Sequence, residues 1–452
     1  MNKFALYIAM WVVLLPLLSI AQQNEAKIDS ANEKWTFHFQ QSMVNQWHGA
    51  YNFKYAGLNS LDSAAETKLS LTTTMFIGRK LWKGGALYLS PEVTAGNGLS
   101  YTHGIAGFTN GEIYRVGNPT PTPFVARLIY RQVFSLGGKE KENIEDGFNQ
   151  LHESMPADRL TINVGKFCLS DFFDGNSYNH DARSQFLNWA LMGQGAWDFP
   201  ADTRGYTSGV EVEIVHPKWS LMYAFVQMSK TANSLDMDLN MLEANGQVLE
   251  YDRKTNLRGK PGVIRGDLFI NNCRAPRYAD AVKQLKAGND SDLVAVINST
   301  KTNSLIATLK YGFGINFEQQ LTGDLGFFAR YSWNDGKTAS WEFTDIDRNL
   351  QAGIDLSGTK WQRPQDKIGI AEAIDGISKD HQEYLAQGGN SFIIGDGKLN
   401  YGNEIITEAY YKAKLQKYLF VSFDYQLIFN PGYNRDRQGP ISVPGLRVHV
   451  EF

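Results

Sequence analysis

The 452-residue chain is short of cysteine, of one-sided charge and, past its first twenty residues, of any long apolar run. Cys168 and Cys273 are its two cysteines and stand far apart. That excludes a disulfide-rich scaffold, and the expectation is two reduced thiols packed as small apolar side chains. No later stretch reaches the roughly eighteen apolar residues that a membrane helix needs, so a helical membrane protein is excluded. Lys and Arg total 44 against 47 Asp and Glu, a net charge of -3, which leaves no electrostatic footprint for nucleic acid. Signatures of catalysis are missing too. Gly336-Lys337-Thr338 resembles the end of a phosphate-binding loop, but Tyr331 stands where its first glycine belongs. There is no G-x-S-x-G elbow and no H-E-x-x-H helix. His180-Asp181 has no further ligands at a fixed spacing, so the chain is expected to be neither a metalloprotein nor an enzyme, and to need no cofactor.

What is present is a pattern of period two. The last residues, 445–452, alternate strictly: Leu446, Val448, Val450 and Phe452 share one strand face, and Arg447, His449 and Glu451 share the other. One face suits lipid and the other a watery lumen. At the opposite end, Lys3 precedes an apolar run over 4–18, followed by Ser19-Ile20-Ala21 and the polar Gln22-Gln23. This reads as a cleaved export signal over 1–21. An export signal together with an aromatic carboxy terminus on a two-faced strand implies an all-β fold, a transmembrane antiparallel β-barrel in the outer membrane of a Gram-negative bacterium. A short periplasmic segment is expected over 22–34 and a single barrel domain over 35–452. A mean hydropathy of -0.33 is compatible with this, because half of every spanning strand faces water.

Similar alternation marks strands at 35–43, 68–77, 124–134, 160–167, 209–215, 219–227, 311–318, 325–333, 405–415 and 421–430. At roughly 9 to 11 residues per strand the chain accommodates about 14 to 18, and about 16 is the natural even number. Irregular segments are expected at 137–158, 182–206, 231–246, 271–302, 360–389 and 430–444, with short loop helices at 275–287 and 371–387. Some of these loops are expected to fold into the barrel.

The densest chemical cluster is GKFCLSDFFD at 165–174, followed by HDARSQFLNWALMGQGAWDFPADTRGYTSG at 180–209. Carboxylates, amides and guanidinium groups hydrogen-bond sugar hydroxyls, while an aromatic ring covers the apolar face of a pyranose. Candidates for such contacts are Asp171, Asp174, Asp181, Arg183, Asn188, Trp189, Trp197, Asp198, Asp202 and Arg204. Asp171 and Asp174 also have the look of a glycosidase pair, which only carboxyl separation in space can test. If Phe124, Ala126, Leu128 and Tyr130 face lipid, then Arg127 and Arg131 face the pore, as do Glu92, Glu211 and Glu213. Opposed charges of that kind set a transverse field that chooses between solutes.

This cluster resembles the signature of the carbohydrate-selective porin family of the OprB type. The resemblance extends to LYLSPEVTAGNGLS at 87–100, GFTNGEIYRVGN at 107–118, FFARYSWNDGKT at 327–338, FIIGDGKLNYG at 392–402 and FNPGYNRDR at 429–437. Cys168 stands where the family usually has a small polar residue, Gly193 replaces an expected Asp, and Gln438 is inserted before Gly439-Pro440. The resemblance implies a sixteen-stranded barrel with an inward loop and a narrow sugar-preferring eyelet, passing mono- or oligosaccharides passively. A channel for other solutes, or a barrel enzyme, are the alternatives. The implied partners are carbohydrate solutes, outer-membrane lipid and, through Phe452, the barrel assembly machinery, with the chain a monomer or a trimer.

Overall fold

The computed structural model describes residues 34–113, 120–288, 292–302, 307–437 and 439–452. The expected signal and periplasmic segment fall outside the described residues, apart from Lys34. Sixteen strands form one closed barrel in which each strand pairs with its sequence neighbours. They are β1 (Trp35–His48), β2 (Glu66–Trp82), β3 (Gly85–Gly96), β4 (Thr122–Ile144), β5 (Glu153–Phe167), β6 (Thr207–His216), β7 (Trp219–Gln227) and β8 (Asn245–Leu257). The second half comprises β9 (Lys260–Cys273), β10 (Thr308–Gln320), β11 (Leu325–Asn334), β12 (Arg348–Gly358), β13 (Arg363–Gly376), β14 (Glu404–Gln416), β15 (Leu419–Phe429) and β16 (Ile441–Glu451). Antiparallel pairing of β1 with β16, in the register Gln40 with Glu451, closes the seam. Phe452 completes it: its carbonyl accepts from the Phe39 N–H at 2.8 Å, its own N–H donates to the Phe39 carbonyl at 3.0 Å, and the two rings stack at 5.3 Å. Closure leaves no unpaired strand edge to face lipid.

The alternation does what the period requires. Outward positions carry exposed apolar side chains such as Met75, Leu128, Ile264, Leu350, Phe423 and Leu446. Inward positions on the same strands carry buried polar ones, among them Thr74, Asp267, Asn349, Asp424 and Arg447. Turns at 83–84, 217–218, 258–259 and 417–418 are short, while loops 168–206, 274–307 and 377–403 at the other end are long. Short turns mark the periplasmic end and long loops the extracellular end.

Five strands escaped the period-two reading, namely β3, β8, β9, β12 and β13, and β13 runs through a segment expected to be irregular or helical. The reason is visible on its inner face. Gly369, Ala371 and Ala373 point inward, where the Phe186 and Tyr410 rings crowd them; a Cβ on Gly369 would lie 2.2 Å from the Tyr410 ring. Because a loop covers this wall, its inner face is small and apolar instead of polar, and the alternation disappears. The helix Lys379–Ala386 begins only after the strand ends, and Tyr278–Lys286 is helical as expected. Residues 137–144 and 153–158, expected to be irregular, extend the β4–β5 hairpin, and 441–444 belong to β16.

The phase of β4 also differs from expectation at its start. Ser90 pairs with Arg127 but Pro91 pairs with Val125, so Ala126 is an extra, bulged residue. Such a bulge switches the faces on either side of it. Val125 and Leu128 are exposed to the outside, whereas Phe124 and Ala126, expected toward lipid, are not: Phe124 turns inward against the Tyr206 ring and Ala126 is fully buried. Arg127 and Arg131 face inward as expected.

Candidate functional site

Loop 168–206 fills much of the lumen, and the wall holds it by its backbone. From β10, β11 and β14 to β16, inward polar side chains reach the loop: Arg330 donates to the Asn179 carbonyl at 2.6 Å and Arg447 to the Gln185 carbonyl at 2.9 Å. Glu408 accepts the N–H groups of Leu187 and Asn188 at 2.6 and 2.9 Å. Two glycines allow the close approach, since a Cβ on Gly246 or Gly314 would meet Pro200 or Gln194 at 1.9 Å. Asp174 is buried beneath Arg330 at 2.8 Å and also accepts from Asn316 at 2.6 Å. Asp198 accepts the backbone N–H groups of Trp341, Glu342 and Phe343 and the Lys310 ammonium at 3.1 Å, which pins loop 335–347 to loop 168–206.

Because the loop is packed onto that side, the remaining passage is eccentric. A cavity of about 530 Å³ is bounded by Gln40, Thr72, Glu92, Thr94 and Arg127 from β1 to β4, by Glu451 of β16, and by the free side of the loops. Two ion-pair groups line it. Arg183 reaches Glu112 at 2.6 Å and Glu92 at 3.3 Å, and Glu92 also accepts from Thr74 at 2.6 Å and from the Tyr206 hydroxyl at 3.1 Å. Arg127 grips Asp171 with two hydrogen bonds of 2.7 and 2.6 Å and lies 5.2 Å over the Tyr206 ring. Arg204 sits 4.2 Å over the Phe124 ring. The charges are thus paired side by side, not opposed across the lumen.

Burial and neighbours tune the groups on the loops. Burial pushes the Glu112 carboxyl up from the ordinary glutamate value, and the Arg183 charge only partly offsets it. Burial acts the same way on Asp181, yet the Arg183 charge and N–H and the Ser184 hydroxyl outweigh it and hold Asp181 low. Burial beside the Asp171 carboxylate pushes the Cys168 thiol up to about 11, so this thiol stays protonated and inert.

The same cavity has an aromatic wall. Trp189 stacks on Phe108 at 5.0 Å with planes 15° apart, and lies 5.4 Å from Phe343 and 5.9 Å from Phe199. All four rings border the cavity, and Trp189 is 8% exposed.

Of the residues singled out in the sequence, Asp171, Asp181, Arg183, Trp189, Arg204, Arg127 and Glu92 come together around this cavity. Trp197, Asp198 and Arg131 do not border it. Trp197 is 3% exposed and edge-on to Phe173 at 6.3 Å; Asp198 is a clamp; and Arg131 forms a buried pair with Glu153. Asn188 caps the short helix Trp189–Met192 through the Ala190 N–H, and Asp202 accepts from Lys166 and from the Arg204 N–H. Asp171 and Asp174 do not share a cleft, because Asp174 is sealed under Arg330. Glu112, Phe108, Phe199, Phe343 and Tyr206 were not singled out. Glu112 and Phe108 lie inside the motif at 107–118, which was the available signal, whereas nothing local distinguishes Phe343.

A model of the carbohydrate-selective porin, OprB family, matches residues 59–452. The chain belongs to this family. It is an outer-membrane porin of a Gram-negative bacterium, built to pass solutes across that membrane. Among solved structures it is similar to the high-pH structure of Pseudomonas putida OprB, at 18% identity and a TM-score of 0.68, covering 93% of this chain and 94% of that one. It is also similar to the outer membrane channel DcaP of Acinetobacter baumannii, at 10% identity and a TM-score of 0.49 over 93% and 100% of the two chains. No match was found among curated protein sequences. The porin's two cysteines are free, Cys273 buried and Cys168 partly so.

Proposed function

We propose that neutral mono- or oligosaccharides cross this porin passively by sliding over the Trp189 platform while their hydroxyls exchange partners with the Arg183, Glu112, Asp181, Arg127 and Asp171 groups. The observation that carries the reading is the coexistence, around one cavity of about 530 Å³, of a stacked aromatic wall and self-neutralised ion pairs. A ring covers the apolar face of a pyranose. Paired charges supply hydrogen-bond donors and acceptors without a net field that would favour a simple ion. Arg204 belongs to the same contact set.

Planar-bilayer conductance of the purified barrel tests this, with glucose and maltotriose titrated as blockers. Both sugars reduce the ion current of the wild type. Trp189→Ala weakens the block by about fivefold, the loss of roughly 1 kcal/mol of stacking, with ion current equal or larger. Sugar-insensitive current in the wild type would favour a channel for other solutes. The role of Phe452 is proposed on the same footing: its place at the closing seam makes it the end that the assembly machinery reads, and deleting it lowers the folded, heat-modifiable fraction in the outer membrane. Whether this porin is a monomer or a trimer is read from its mass in detergent by light scattering.

A further inference from the structure

A second cavity of about 530 Å³ lies at the extracellular rim, where loop 49–65 meets the end of β3 and the start of β2. Its wall is aromatic: Tyr51 and Phe53 stack at 6.2 Å with planes 18° apart, and Tyr101 borders the opening at 58% exposed. Polar groups interleave with the rings, namely Asn52, Asp62 and Lys68, whose ammonium lies 4.6 Å over the Tyr101 ring.

Tyr101 is displayed by a strained backbone. Ser100, Tyr101 and Thr102 hold φ of 50°, 56° and 67°, three consecutive left-handed residues, none of them glycine. A β-branched residue such as Thr102 is an outlier there. Glu66 clamps the turn: it accepts from the Ser100 hydroxyl at 2.6 Å, lies 3.0 Å from His48 Nε2, and pairs with Lys68 at 3.1 Å. Strain of this kind persists where the surroundings over-determine it, and it clusters at binding sites. The Tyr101 ring stays more than half exposed, with the Lys68 ammonium over it.

The rim cavity is in line with the eyelet. On β2, Glu66, Lys68, Ser70, Thr72 and Thr74 share the inner face; Glu66 and Lys68 border the rim cavity and Thr72 borders the central one. Four steps along the strand take Lys68 to Thr72, about 14 Å at ~3.4 Å per residue. We infer that the rim cavity is a capture subsite for the hydroxylated rings of sugars, with Tyr101 as its stacking face and Asp62, Asn52 and Lys68 as hydroxyl partners. It rests on the reading of the porin as a sugar channel and adds a site outside the eyelet. A solute held there enters from the outside at a higher local concentration than one arriving from the periplasm, so capture speeds exchange on the outer side, entry and exit alike, and leaves the periplasmic side unchanged.

Sidedness tests it. With maltotriose added to one side of a planar bilayer at a time, the wild type shows association rates that differ between the two sides by about fivefold. Tyr101→Ala brings the two rates together and lengthens each block, because exit to the outside slows with entry from it, while single-channel ion conductance stays as in the wild type, and Tyr101→Phe keeps the difference. Equal rates in the wild type, or a difference that survives Tyr101→Ala, would overturn the capture subsite and leave the sugar reading of the eyelet intact. Absence of any block by maltotriose or glucose from either side would overturn both. Heat-modifiable migration of each variant confirms that the barrel has assembled.

Discussion

Two segments enter the lumen from opposite ends, and they are held in different ways. Loop 168–206 comes from the extracellular side and is fixed by charges and amides that are themselves buried, such as Arg330 on Asp174 and Lys310 on Asp198. The periplasmic tip between β4 and β5 turns back into the barrel and brings Phe148, Asn149 and Gln150 to the central cavity. Its polar anchor is Asp146, 48% exposed, which accepts from Thr36 at 2.7 Å and lies 3.1 Å from His38 Nε2. Leu151 is buried against the wall and Phe148 packs at 5.4 Å from the His38 ring. The difference teaches which segment defines the pore and which only trims it. Removing one partner of a buried pair leaves an uncompensated charge, whereas an exposed pair contributes little.

The strongest way to break this comparison is to cut a buried anchor. Arg330→Ala is expected to cost about 3 to 5 kcal/mol, because Asp174 is left charged and dry. Urea unfolding of the detergent-solubilised barrel measures it, with a rise in single-channel conductance as the loop loosens. A stability loss no larger than that of an exposed pair would show that the loop is held by packing alone.

Glu112→Gln tests the pairing inside the eyelet. Arg183 then keeps the Glu92 pair and the charge of Asp181, and the reversal potential in a salt gradient moves toward anion preference. Acid does the same to the wild type. With its proton affinity raised by burial, Glu112 neutralises at a pH above the ordinary glutamate value of 4.5, so anion preference grows as pH falls through that window. Glu112→Gln shows the shift already at neutral pH and loses this part of the pH dependence.

Asp146→Ala is expected to change stability by less than about 1 kcal/mol, as exposed pairs do. Conductance rises modestly as the periplasmic tip swings away, and noise in the open current increases. A destabilisation equal to that of Arg330→Ala would erase the distinction between the two segments. The smallest effect is expected from replacing Cys168 and Cys273 together with Ala. Migration and conductance stay as in the wild type, and intact-mass measurement with a thiol-alkylating reagent finds two free thiols before the exchange. A quantitative intramolecular bridge would overturn that.

Period two and the family's motifs made the barrel legible, because a strand between lipid and water must alternate. They also determined that β16 is two-faced, with Arg447 and His449 inside. Of the five strands missed, β13 was illegible for a reason that belongs to the tertiary structure: where a loop covers the wall, as at Gly369, the inner face no longer needs to be polar, and a bulge such as Ala126 likewise shifts the phase of a strand that was read. The site divided in the same way. The signature around 180–209 pointed to the right loop, but Trp189 and Trp197 are both indoles in a polar setting, and nothing in their flanking residues says which one meets the cavity. That was decided by where the wall grips the backbone. With Asp198 clamped to loop 335–347, Trp197 turns into the core against Phe173 while Trp189 faces the passage with Phe108 and Phe343. Side-chain chemistry is written residue by residue, whereas the side of a loop that faces water depends on contacts between segments far apart in the chain.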